Sequence, residues 1–283
     1  MGIGDDREVL SDAIDYLRCP NCAGALTLDD RRVRCPHGHS FDVARHGYLT
    51  LRAGGAGPGT GDTAEMVAAR QRFLAAGHYS PISDAIRTAA PAGTEPVLDL
   101  GAGTGHYLAQ LLTAQPDRVG LAVDLSGYAL RRAARAHPRI AAIGADAWQP
   151  LPVRTGCIGL VLNVFAPRNA AEIARVLTPD GLLLVVTPAA DHLGELVATL
   201  GLVGVDAAKP DRLATTLADF VPAGAETVRF GLRLDHDEVA AVVGMGPSAH
   251  HLPPATLAER IATLPESTAA TAAVTVAGYR PRR

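Results

Sequence analysis

Apolar runs long enough to cross a bilayer are missing from this 283-residue chain, so nothing in it reads as a membrane span. Its opening stretch, MGIGDDREVL, has neither a basic segment nor an apolar one behind it. That removes a secretory reading and leaves a cytoplasmic protein as the expectation. Nor is there a global basic field. The 26 lysines and arginines are outnumbered by 29 acidic residues, for a net charge of −3, so a nucleic-acid partner must be met through local charge. Aromatic residues make up only 4% of the chain, and the surplus of Ala, Gly, Pro and Arg reflects compositional bias more than chemistry. The 48% of hydrophobic residues and a mean hydropathy of +0.13 still suffice for one substantial core and a small appendage.

Cysteine is scarce too, yet three of the four stand within seventeen positions, in CPNCAGALTLDDRRVRCPHGHSFD from Cys19 to Asp42. In a reducing compartment such clustering favours a metal over a disulfide. Cys19 and Cys22 form a C-x2-C knuckle, and Cys35 opens C-x-H-x-H. Two short-spaced pairs supply the four soft or borderline ligands of a closed, structural zinc site. The fourth ligand is His37 or His39, and the longer spacing to His39 leaves its ring freer to turn back onto the metal. Around this module six arginines (Arg18, Arg31, Arg32, Arg34, Arg45, Arg52) face three aspartates (Asp29, Asp30, Asp42). This local reversal of the chain's charge suits phosphate contact, although a solvated hairpin rim would look the same.

Residues 53–61, AGGAGPGTG, hold six glycines or prolines in nine positions, which no helix or strand interior tolerates. A domain boundary is expected there, with residues 1–52 before it and 62–283 after. The segment behind it reads as a bridging helix capped by Asp62, with Glu65 completing a capping box and Gly77 as the stop. Further on, Val97–Leu100, Val119–Asp124, Ile140–Gly144, Ile158–Phe165 and Leu182–Thr187 are apolar runs. They alternate with helical segments starting near Gly105, Ser126, Ala170 and Asp191. That pattern predicts an α/β fold with a doubly wound, mostly parallel sheet covered on both faces. Two later alternating runs, ETVRFGLRL and AAVTVAGYR, predict a closing antiparallel pair.

After the first of these strands comes Gly101-Ala-Gly103-Thr-Gly105. A nicotinamide-binding turn would place its third glycine at position 106, where His106 stands. A close-approach turn without a pyrophosphate suits S-adenosylmethionine. Asp99 precedes it, Asp124 ends the next strand where a carboxylate accepts both ribose hydroxyls, and Asp146 ends the strand after that, near the expected adenine. Each aspartate could instead cap a helix. Asn163 at the tip of the fourth strand is placed for the substrate edge, because ligands bind beyond the carboxyl ends of parallel strands. It could equally satisfy the turn before Pro167. Arg131, Arg132, Arg135, Arg139 and Arg168 are candidates for phosphate contact or for a solvated face.

The cysteine module, followed by SFDVARHGYLTL, DTAEMVAARQRFLAAGHYSPI, VLDLGAGTGHYL, NVFAPRN and LLVVTPAADHLGEL, closely resembles the RlmA/TlrB family of 23S rRNA guanine-N1 methyltransferases. The likeness spans nearly the whole chain. It implies a class I, Rossmann-like, seven-stranded methyltransferase domain joined to a zinc-ribbon-like RNA-recognition domain. It implies methylation of N1 of one guanine in a domain II hairpin of 23S rRNA at the peptide exit tunnel. Members from the high-GC Gram-positive branch confer or support resistance to tylosin-type macrolides. By motif, Cys19, Cys22, Cys35 and His39 would hold Zn2+, and Tyr79, Gly103, Thr104 and His192 would contact S-adenosylmethionine. The rival reading is a methyltransferase acting on another RNA or on a small aromatic or antibiotic substrate, since the core fold does not fix the substrate. A homodimer is compatible with the sequence.

Overall fold

In a computed structural model, residues 6–53, 61–206, 209–246 and 252–282 are described. The linker expected at 53–61 therefore lies mostly outside them. The chain begins with helix α1 (Asp6–Ile14) and the short strands β1 (Thr27–Asp29), β2 (Arg32–Arg34), β3 (Ser40–Asp42) and β4 (Tyr48–Thr50). Helices α2 (Ala64–Ala75) and α3 (Ser80–Ala89) follow, then β5 (Val97–Leu100), α4 (His106–Ala114), β6 (Gly120–Asp124), α5 (Gly127–Ala136), β7 (Ile140–Gly144) and β8 (Ile158–Val164). The remainder comprises α6 (Ala170–Val176), β9 (Leu177–Pro188), α7 (Gly194–Leu200), α8 (Lys209–Thr216), β10 (Phe220–Leu234), α9 (His236–Gly244), α10 (Pro254–Ile261) and β11 (Thr268–Pro281).

The main sheet runs β10-β11-β9-β8-β5-β6-β7-β4. From β9 to β4 all neighbours pair in parallel, and β11 joins antiparallel to β9 and to β10. Seven of these strands, β5 to β11, form the arrangement of a class I methyltransferase. The eighth, β4, comes from the N-terminal segment and adds to the open edge of β7, with Leu49 opposite Ile143. Strands β1, β2 and β3 make a separate antiparallel sheet around the cysteines.

Strand alternation divides the core into two layers. Val97, Ala122, Leu160 and Leu162 point to one face, where Phe73, Tyr79, Ile82 and Leu108 pack. Leu98, Leu100, Leu121, Val123 and Val161 point to the other, and there they meet Leu10, Leu17, Leu49 and Leu51 of the N-terminal segment. The cysteine module therefore shares an apolar layer with the large domain. Leu17 bridges Val153, and Arg18 donates from its backbone N–H to Pro152 O (3.0 Å) and from Nε to Leu151 O (3.2 Å).

Helix α2 starts one residue later than expected. Thr63 is its N-cap, accepting from the Met66 N–H at 3.3 Å, because the Asp62 carboxylate is engaged by Arg70 instead. Gly77 turns the chain after α2 with φ +81°, the stop its sequence position suggested. At α5 the cap is Ser126, accepting from the Ala129 N–H, which frees Asp124 from a capping role.

Candidate active site and metal centre

Helix-bearing connections leave the carboxyl ends of β5 and β8, which lie side by side while their following helices pack on opposite layers. This is the switch point where doubly wound sheets bind ligands. The glycine turn closes it: Gly101, Gly103 and Gly105 all take left-handed backbones, at φ +72°, +55° and +74°. A Cβ at Gly101 would lie 2.6 Å from the Ala166 Cβ, so glycine there admits the loop that follows β8. Gly105 packs against Ala133 and Ala136 of α5. Above Gly103 the nearest atoms are those of the Arg70 side chain, at 3.3 Å from where a Cβ would stand. Thr104 is buried beside it.

Asp124 ties the turn to the neighbouring strand. Its Oδ2 accepts from the Gly103 N–H and its Oδ1 from the Ser126 N–H, both at 2.8 Å. Each oxygen keeps a lone pair for a further donor such as a ribose hydroxyl. Burial raises its pKa, against the pull of these two backbone donors. Asp99, fully enclosed beneath the turn, is pushed up to about 7 by burial and then by the Asp124 charge. Asp146 is half-buried after β7 and accepts from the Trp148 N–H at 2.9 Å.

Tyr79 and His192, far apart in sequence, meet here: the phenol oxygen lies 3.2 Å from His192 Nε2. The Ala273 N–H donates to His192 Nδ1 at 3.2 Å, which requires a lone pair on that nitrogen. A neutral imidazole then carries its proton on Nε2 and donates it to Tyr79. Phe73, Phe230 and Phe165 complete an aromatic ring around the phenol, with centroids 4.9, 6.3 and 6.5 Å away.

Asn163 does not face this space. It is wholly buried, its amide donates to Pro167 O (2.8 Å), and its oxygen accepts from Arg168 Nε (2.9 Å). Both of its polar ends are spent on shaping the loop, so the expected contact with a guanine edge gives way to the turn-satisfying alternative. Arg168 is consumed in the same clamp. Arg139 likewise leaves the phosphate-binding candidates, since it donates to Gln115 O (2.9 Å) and to Leu112 O and Arg118 O around the end of α4. Arg70 of α2 reaches the site, pairing with Asp62 and donating to Met245 O (2.9 Å).

In the N-terminal module Cys19, Cys22, Cys35 and His39 bring their ligand atoms within 4.8 Å of one another, the one such group among the described residues. Cys22 Sγ and Cys35 Sγ are 3.6 Å apart, and His39 Nδ1 lies 3.5 Å from Cys19 Sγ and 3.3 Å from Cys35 Sγ. A tetrahedral zinc ion with bonds of about 2.3 Å to sulfur and about 2.0 Å to nitrogen separates two sulfurs by about 3.8 Å and a sulfur from a nitrogen by about 3.5 Å, so the donor set fits the metal. His37 stays outside the group. Burial opposes a Cys35 thiolate, but hydrogen bonds from the His39 backbone and ring hold its pKa down at about 6.

Over residues 17–52 the chain matches the family model described as RlmA, N-terminal, and over residues 97–181 that of a methyltransferase domain. A Micromonospora griseorubida protein named as a 23S rRNA (guanine-N1)-methyltransferase is 52% identical, over 95% of this chain and 99% of its own. The 23S rRNA (guanine(748)-N1)-methyltransferase of Streptomyces fradiae is 50% identical, over 95% and 98%. Among solved structures, a methyltransferase of Bacillus halodurans aligns with a TM-score of 0.51 at 16% identity, over 72% of this chain and all of its own; that likeness concerns the fold.

Proposed function

The chain belongs to the family of 23S rRNA (guanine-N1)-methyltransferases, and from that premise we propose what each part of it does. It is an S-adenosylmethionine-dependent enzyme that methylates N1 of a guanine in 23S rRNA, with zinc as a structural cofactor. We infer further that the guanine sits in a domain II hairpin at the peptide exit tunnel, that the enzyme works in the cytoplasm, and that methylation supports resistance to tylosin-type macrolides. In this reading residues 1–52 recognise RNA, 53–61 link, and 62–283 bind the methyl donor. No helix among the described residues is long and apolar enough to cross a membrane.

The observation that carries it is the hook between the Gly103 N–H and Asp124 at the switch point. It holds a left-handed, side-chain-free turn beside a carboxylate with spare acceptor capacity. Gly101, Gly103, Thr104 and Gly105 line the donor's path, Asp124 takes the ribose, and Asp146 lies toward the adenine. Arg70 is the cation in reach of the amino-acid end. When bound, the donor supplies a methyl carbon already activated by its sulfonium charge, so most of what remains for the protein is alignment. The N1 of a paired guanine is hidden, and the base must be unpaired or flipped to reach the strand tips. His192, with its proton fixed on Nε2, donates to Tyr79 and leaves the phenol proton to point into that space as a donor. Buried as it is, with a pKa raised by desolvation, Tyr79 orients rather than takes protons. Cys19, Cys22, Cys35 and His39 hold the zinc that substitutes for a core the small module cannot build.

Primer extension on 23S rRNA incubated with the protein and S-adenosylmethionine tests the reading. An N1-methylguanine blocks Watson–Crick pairing and arrests reverse transcriptase at one position. No new stop, with donor binding intact, would remove the rRNA assignment.

A further inference from the structure

One side chain at the switch point is neither buried like its apolar neighbours nor used by the roles above. Phe165 is the first residue beyond β8, and it is 42% exposed in a chain with few aromatic residues. Its backbone sits at φ +53°, a conformation that bulky residues avoid and that persists only where the surroundings over-determine it. Here they do. The Phe165 N–H donates to Val186 O (3.1 Å), Asn163 clamps Pro167 O, Arg168 Nη2 donates to Ala166 O (3.3 Å), and Ala166 fills the space that Gly101 leaves. The effect of this bracing is to hold an apolar ring partly in solvent at the carboxyl edge of the sheet. Its centroid is 6.0 Å from His192 and 6.5 Å from Tyr79.

Resting on the guanine reading above, we propose that Phe165 is the stacking platform for the target base. A flipped guanine has lost its stacking neighbours, and a ring fixed by its own backbone replaces one of them at little further entropic cost. The braced loop sets the height of that ring against the glycine turn, because Ala166 and Gly101 touch. Guanine laid on Phe165 would present its edge to the Tyr79 hydroxyl on one side and its N1 toward the donor on the other. Asn163 and Arg168 then act as positioning residues, working through Phe165 without meeting the base.

The test compares Phe165→Leu, Phe165→Tyr and Phe165→Gly with the wild type by three readouts: methyl transfer to a 23S rRNA transcript, S-adenosylmethionine affinity by calorimetry, and melting temperature. Removal of the ring in Phe165→Leu should lower kcat/KM for RNA by about five- to a hundred-fold, the range carried by base–aromatic stacking. Donor affinity should not change, and Phe165→Tyr should stay within about two-fold of wild type. Phe165→Gly relieves the left-handed backbone while deleting the ring, so it should lose activity without losing melting temperature, a combination that a merely structural phenylalanine would not give. Equal activity of Phe165→Leu and wild type overturns the platform, as does a loss of donor affinity that accounts for the activity lost. If Trp148→Leu, at another exposed aromatic (63% exposed), falls while Phe165→Leu does not, the platform is elsewhere. A wild type that binds donor yet leaves no stop on rRNA overturns the function itself and the platform with it.

Discussion

Substituting Gly101 by alanine adds a single methyl group, and the structure assigns it two separate costs. The backbone at φ +72° is left-handed, which disfavours a residue with a Cβ by about 1–2 kcal/mol. The new Cβ would also stand 2.6 Å from the Ala166 Cβ and 3.7 Å from its Cα, where carbon atoms prefer about 3.5–4.0 Å. The two segments must part by roughly 1 Å, and overpacking of this kind typically costs about 1–3 kcal/mol. Together these give a loss of about 2–5 kcal/mol, a large share of the roughly 5–15 kcal/mol that holds a typical domain folded. Urea unfolding of Gly101→Ala, Ala166→Gly and the double variant separates the parts. Ala166→Gly removes the methyl group that is struck, so the double variant should recover about 1–3 kcal/mol and retain the backbone cost. Methyl transfer should follow the same order, since the displaced loop carries Phe165. Strict additivity of the two substitutions, or a Gly101→Ala protein as stable as wild type, would show that the turn and the β8 loop do not brace one another.

Three further outcomes follow from the same geometry. Because the Asp99 carboxyl is raised to about 7 in the fold from an ordinary value near 3.9, the native state holds its proton more tightly than the unfolded one. Its stabilising contribution is therefore full below about pH 4 and lost as the pH rises through 7. Asp99→Asn should gain on wild type across that window by on the order of 4 kcal/mol, and parallel pH-stability curves would refute the assignment. Arg70→Ala should weaken S-adenosylmethionine binding about ten- to a hundred-fold in calorimetry, the scale of a hydrogen bond to a charged group; tighter binding would mean that Arg70 plugs the turn. Stripping zinc with a chelator should release amide protection between Cys19 and Val43 and abolish rRNA methylation, while the pairing of β4 with β7 and donor affinity persist. Simultaneous loss everywhere in hydrogen exchange would contradict the anchoring of both module ends on the large sheet.

The parts legible in the sequence were those whose cause is local. Val97–Leu100 and Ile140–Gly144 read as buried strands because both faces are apolar. The glycines of the turn stand where left-handed backbone is required, and the spacing of Cys19, Cys22 and Cys35 announces a metal, with His37 and His39 both offered as the fourth ligand and His39 the one the fold brings in. What escaped depends on distant partners. Strand β4 is three residues long and draws its identity from β7, some ninety positions on. The cap of α2 moved from Asp62 to Thr63 because Arg70 takes the aspartate, and nothing within that helix's first turn records it.

Arginine shows the difference most sharply. Arg139 and Arg168 carry the same charge in the sequence as Arg131 and Arg135, and all four read alike, as phosphate contacts or as a solvated face. In the fold Arg139 binds carbonyl oxygens at the end of α4 and Arg168 clamps Asn163, whereas Arg131 lies over the Tyr128 ring and Arg135 contacts His46 on the exposed surface. A backbone carbonyl and a phosphate oxygen are both acceptors for the same donors. Which one a given arginine meets is decided by burial, and burial belongs to the tertiary structure. Arg45 and Arg135 stay exposed on either side of His46, whose pKa burial and the neighbouring arginines lower, and Arg34 stays exposed on the cysteine module. His46 meets Arg135 of α5 because β4 docks on β7.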